Sequence, residues 1–117
     1  MLPIINWDVI DEAKALMQDN FPVMVQYFLE DAASYISTIE EGLAQSDAEK
    51  IKSAAHTIKS SSKQLGAEKL SEIAMQIEHS ARNIMAENSG DLAQIHYFFN
   101  ELKAAFGEVE PALKELD

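Results

Sequence analysis

From Phe21 to Leu102 the apolar residues return at steps of three and four, and nowhere in the chain do they alternate with period two. That periodicity gives a series of helices one apolar stripe each and leaves no candidate strand. Asn6 can accept the first free helix N–H groups, and Ile10, Ala13, Leu16 and Met17 then mark a short helix over about 7–19. Pro22 suits a first helical turn, and Val25, Phe28, Leu29, Ala32, Ile36, Ile39 and Leu43 continue a longer one over 22–44. Ser46 with Glu49 reads as a capping box opening a helix over 47–65, striped by Ile51, Ala55, Ile58, Ser62 and Leu65 and stopped by Gly66. Leu70, Ile73, Ala74, Ile77, Ala81, Ile84 and Met85 stripe the next, over 68–87, which runs into the polar loop at 87–90. A last helix over 91–106 carries Leu92, Ile95, Phe99, Leu102 and Phe106. Beyond it, Gly107 and Pro111 end, kink or restart the helix before Leu113 and Leu116, and the pattern leaves the choice open. Connections of a few residues force neighbouring helices to run antiparallel. The expected fold is all-α: an up-and-down antiparallel four-helix bundle with a short N-terminal lid helix, whose Trp7 and Ile10 lie across one end.

A chain of 117 residues supports one hydrophobic core, so residues 1–117 read as a single domain without repeats or linkers. Hydrophobic residues make up 47% and charged ones 25%, with four glycines and three prolines, which excludes a disordered or fibrous chain. The absence of cysteine excludes disulfides, thiol catalysis and thiolate metal sites, and fits a reducing compartment. The most apolar stretch, Phe21 to Leu29, contains Gln26 and falls well short of the roughly 20 residues a membrane span needs. The start MLPIINWD has its first basic residue at Lys14, unlike an export signal, so no membrane contact and a cytoplasmic location are expected. A formal charge of −11 argues against a nucleic-acid partner. The deficit is uneven, however: Lys50, Lys52, Lys59 and Lys63 fall between positions 50 and 63, where there is no Asp or Glu.

His56 lies in that island. At about 100° per residue it projects roughly 160° from the centre of the stripe formed by Ile51, Ala54, Ile58 and Leu65, so it faces outward. Lys52, Lys59 and Lys63 fall within about 60° of it, with Ser60 just to the other side. Such crowding of like charge costs stability, and an anion visiting this face would offset it. An idle exposed histidine is the plain alternative. His79 and His96 lack a histidine or carboxylate at helical metal-pair spacing and read as surface or boundary residues. The acidic pairs Asp11-Glu12 and Glu40-Glu41 and the run Glu108, Glu110, Glu115, Asp117 read most simply as solvated faces rather than calcium or magnesium ligands, so no metal site is expected. Ser60, Ser61 and Ser62 lack a positioned base and read as packing and surface residues rather than nucleophiles.

The string AAHTIKSSSKQLGAEKLSEIAMQIE, residues 54–78, resembles the signature of histidine-containing phosphotransfer (HPt) domains. The matching residues are His56, Ile58, Lys59, Gly66, Leu70 and Glu78, and the flanking helices extend the resemblance over essentially the whole chain. The family usually has glycine four residues after the histidine, where this chain has Ser60, so a side chain is added beside the imidazole. The resemblance implies a phosphorelay intermediate. His56 takes a phosphoryl group from the aspartyl phosphate of a receiver domain, such as that of a hybrid sensor histidine kinase, and passes it to a response regulator receiver. Neutral imidazole is nucleophilic near pH 7, and attack through Nε2 requires the other nitrogen to keep its proton and donate it to an acceptor. Glu78, on the flank of the adjacent helix, is the candidate; Arg82, one turn further, is equally placed to hold Glu78 in a surface pair. Lys59, read as exposed, would contact the phosphoryl oxygens, with Lys63 and Lys52 adding mainly field. Gly66 would turn the chain back so that Glu78 comes near His56.

The resemblance also implies the partners and cofactors. Receiver domains and a hybrid kinase are the partners, the magnesium belongs to the receiver, and the domain itself carries no cofactor. No length remains for an ATP-binding domain, so the expectation is a phosphocarrier without autonomous kinase activity, monomeric by default. A helical adaptor that binds a receiver or kinase without accepting phosphate is the alternative, and Ser60 gives it weight.

Overall fold

The Asn6 side chain accepts the backbone N–H of Asp8 at 3.1 Å and so starts helix α1, Trp7–Met17. In this computed structural model, which describes residues 2–87 and 92–116, a 3-10 turn at Gln18–Asn20 leads into α2, Phe21–Gln45, with Pro22 in its first turn. The capping box expected at Ser46 and Glu49 is not formed. Ser46 takes left-handed backbone angles (φ 53°) and ends α2, while Asp47 caps α3, Ala48–Gln64, its Oδ1 accepting from the Lys50 N–H at 3.1 Å. The reversal needs a left-handed residue before the new helix can begin, which moves the cap one position along; Glu49 pairs instead with Lys52 at 3.6 Å.

Gly66 ends α3 with φ 73°, its N–H donating to the Lys63 carbonyl at 3.1 Å while Ala67 N–H donates to Ser62 at 2.9 Å. This pair of bonds satisfies carbonyls that the last turn leaves free. α4, Glu68–Glu87, follows directly. The rest of the polar loop, and the start placed at Asp91, lie outside the described residues. α5, Ala93–Lys114, passes through Gly107 and Pro111 without a break, so neither residue ends or restarts it. Pro111 removes only the hydrogen bond to the Gly107 carbonyl, at an exposed position, and Val109 and Leu113 on either side are fully buried. Burying two such side chains is worth about 1.5–3 kcal/mol each, enough to override the local penalty of about 3 kcal/mol.

α3 packs between α2 and α4, α4 packs against α5, and a thinner α5–α2 contact closes the bundle. Ile39, Ile51, Ile58, Ile77, Ile95 and Leu102 are all fully buried in the core. The antiparallel four-helix bundle expected from the stripes is therefore formed. The lid differs in detail. Ile5 and Ile10 are buried, but Trp7 is 50% exposed, and Leu16 is left in solvent. Beside the burial of Ile5 and Ile10, hydrogen bonds fasten the lid: Asn6 N–H donates to the Gly66 carbonyl at 2.7 Å and Lys69 N–H to the Pro3 carbonyl at 3.2 Å, while Asn6 Nδ2 donates to Glu68 Oε1 at 2.8 Å. The N-terminal segment is thus clipped to the α3–α4 turn, and Trp7 is not needed to hold it.

Candidate functional site

α3 and α4 make the most extensive helix pair in the bundle, and the site sits on their shared outer edge. On α3, Ala54, Ala55 and Ile58 are buried, which turns His56 outward with 59% of its side chain exposed. On α4, Glu78 lies four residues after Ala74 and three before Ala81, both fully buried. It therefore falls within the packed face rather than merely on its flank, and is only 4% exposed. Small alanines beside it leave room for a carboxylate to lie between the helices.

Two cations and an imidazole converge on that carboxylate. Oε2 lies 2.8 Å from His56 Nδ1 and 3.1 Å from an Arg82 guanidinium nitrogen, and Oε1 lies 2.7 Å from Lys59 Nζ. Sequence reasoning left open whether Glu78 faces His56 or Arg82; it accepts from both. Burial works against the charged form, but the hydrogen bonds and charges of Lys59 and His56 outweigh it and hold the Glu78 carboxyl below the usual carboxylate range. An ionised carboxylate can only accept, so the ring nitrogen facing it must be the protonated one. In the neutral ring, Nε2 then carries the lone pair, on an exposed side chain. Chemically, the arrangement holds a nucleophilic nitrogen in a fixed tautomer beside water.

Lys59 is half-buried and bonded to Glu78, not freely exposed as expected, because its stem lies along the α3–α4 edge on the way to the carboxylate. Lys52 is paired with Glu49. Lys63 is exposed, and its ammonium has no hydrogen bond or ion pair among the described residues. Ser60 is exposed too, and with His56, Lys59 and Lys63 it lines a groove whose apolar rim is Leu2 and Met75. Gly66 lies at the turn that folds α4 back on α3. His79 and His96 are exposed. Among the described residues no group of three or more histidines and carboxylates is placed to hold a metal ion.

Sequence reasoning missed Ser71. Its hydroxyl, buried on α4, donates to the Lys59 carbonyl at 2.9 Å and ties the two helices together directly beneath the site. The available signal was its place one residue after Leu70 and three before Ala74, at the edge of the apolar stripe. Ser62, in contrast, is fully buried with no partner for its hydroxyl among the described residues.

The model of the family described as the Hpt domain matches residues 23–112. Among solved structures, histidine-containing phosphotransfer protein B from Pseudomonas aeruginosa aligns with a TM-score of 0.89 at 23% identity, over 98% of this chain and 95% of that one. The HPT domain of a sensor hybrid histidine kinase from Shewanella aligns with a TM-score of 0.76 at 18% identity, over 97% of this chain and 92% of that one. These likenesses establish a shared fold. No curated protein matches the chain.

Proposed function

The chain belongs to the Hpt domain family, whose members are phosphocarriers in phosphorelays rather than kinases, and from that premise we propose that His56 is the residue that carries the phosphoryl group. The observation that supports this most directly is the exposed His56 ring with its Nδ1 held by the buried Glu78 carboxylate.

In the proposed step the Nε2 lone pair attacks the phosphorus of a receiver's aspartyl phosphate in line with the bond that breaks. The N–P bond forms as the P–O bond breaks, and the electron pair leaves with the receiver's aspartate. Nδ1 keeps its proton, and the positive charge that grows on the ring is met by Glu78. Lys59 has three donors, so it can stay on Glu78 and still offer a proton to a phosphoryl oxygen. Lys63 and Lys52 add positive field toward an acidic partner surface. The reverse reaction delivers the phosphoryl group to a second receiver. The partners we propose are a hybrid sensor kinase's receiver and a response regulator, with magnesium supplied by the receiver and no cofactor on this chain. Among the described residues no helix is long and apolar enough to cross a membrane.

Incubation with a phosphorylated receiver tests the reading. An acid-labile phosphate should appear on the protein and be absent from His56→Gln. A label that survives the substitution overturns the assignment, and a stable complex without any label favours a binding adaptor instead.

A further inference from the structure

Hydroxyls on a helix commonly satisfy themselves by bonding the carbonyl one turn back. On α3, Thr57 does so to Ser53 at 3.2 Å and Ser61 to Thr57 at 2.9 Å. Ser60, between them, does not: it is exposed, and its hydroxyl has no partner among the described residues. It follows His56 by one turn, which sets the two Cβ atoms about 5–6 Å apart on the same face. Both residues line the groove that also contains Lys63 and, from α4, Glu68 and Glu72, whose carboxylates accept from Asn6 and Gln76.

The cations around the imidazole divide into two groups. Lys59 and Arg82 are bound to Glu78 and Lys52 to Glu49, whereas Lys63 is uncommitted among the described residues. The groove side of His56 therefore offers one free hydroxyl donor and one free ammonium, neither of which must break an existing bond to meet an anion. We propose that Ser60 is a phosphoryl-contacting residue: its hydroxyl donates to a non-bridging oxygen of a phosphoryl group on His56 Nε2, with Lys63 balancing the charge from the same groove. The proposal rests on the reading of His56 as phosphoryl acceptor. Its consequence is a longer-lived phosphohistidine, because a hydrogen bond to an anionic oxygen stabilises the loaded state before any partner arrives.

The experiment loads the protein with phosphoramidate, a small donor that bypasses receiver docking. The Nε2 lone pair forms the new N–P bond as the donor's N–P bond breaks and ammonia leaves. The half-life of the acid-labile phosphate is then followed at neutral pH by phosphorus NMR for wild type, Ser60→Ala, Ser60→Gly and Ser60→Thr. Losing the hydroxyl should shorten the half-life by about tenfold in the alanine and glycine variants, the factor expected for a charge-assisted hydrogen bond. Ser60→Thr, which keeps the hydroxyl, should retain most of the lifetime. A labelled Ser60→Ala that decays like wild type, or a threonine variant that decays like alanine, overturns the role of Ser60 and leaves His56 as acceptor untouched. Failure of the wild type to take phosphate on His56 overturns both.

Discussion

Glu78 Oε2 lies 2.8 Å from His56 Nδ1 across the α3–α4 interface, and the carboxylate that reaches the ring is itself nearly inaccessible to water. A buried acceptor of this kind fixes both the tautomer and the plane of the imidazole. Glu78→Ala should slow phosphoryl transfer by about 10–100-fold, the usual consequence of removing a group that orients a reactive histidine. Glu78→Gln keeps an oxygen that can accept from Nδ1 but removes the charge, so it should fall between the two. Rates from a phosphorylated receiver, together with NMR titration of the ring, provide the check. A Glu78→Ala protein with unaltered rate and ring titration would show that Glu78 has no part in the chemistry.

Lys59 has a structural part as well as the proposed chemical one, because its ammonium is 2.7 Å from Glu78 Oε1. Lys59→Ala should lower stability by about 1–2 kcal/mol, since His56, Arg82 and water only partly replace the lost cation beside a buried carboxylate. Lys59→Met keeps the aliphatic stem and isolates the charge. Urea unfolding of the two variants separates packing from electrostatics, and transfer assays on the methionine variant read the chemical part. If Lys59→Met matches wild type in both, the ammonium contributes neither.

The same carboxylate should make stability depend on acid. Glu78 titrates lower in the folded protein than in the unfolded chain, so as pH falls the unfolded state takes up this proton first. Its contribution is therefore fully present above the ordinary glutamate value of about 4.3 and is lost as pH falls through the depressed folded value. Glu78→Gln removes the titration. Unfolding free energies measured from neutral pH into the acid limb should fall less steeply for the variant than for wild type, and parallel curves would contradict the assignment.

The helices and the exposure of His56 were legible because both follow from one periodicity: the residues opposite Ile51, Ala54 and Ile58 must face water. The burial of Glu78 was harder to read. A carboxylate beside Ile77 looks like a flank residue until α3 is laid against it, and its burial is tolerable only because His56, Lys59 and Arg82 arrive from two helices at once. Pro111 shows the opposite failure, a strong local rule overruled by Val109 and Leu113 two residues to either side. The cap moved from Ser46 to Asp47 because the preceding helix needed a left-handed terminus, which no local pattern of polar residues specifies.

Gly66 carries two constraints at once, and they determine how the N-terminal segment is held. At φ 73° an L side chain is strained by about 1–2 kcal/mol. A Cβ there would also lie 2.7 Å from the Asn6 carbonyl oxygen and 3.0 Å from Val9 Cβ. Neither neighbour is the free end of a flexible chain, so the backbone clip between Asn6 and Gly66 must open. Gly66→Ala should therefore destabilise the protein by about 2–4 kcal/mol, strain and lost contacts together. The damage should be concentrated where the lid meets the α3–α4 turn: amide hydrogen exchange at Asn6, and at Lys69 in the first turn of α4, should accelerate more than exchange at buried positions of α5. Uniform acceleration throughout the bundle would mean that the lid and the four helices unfold as one unit and that Gly66 serves the turn alone.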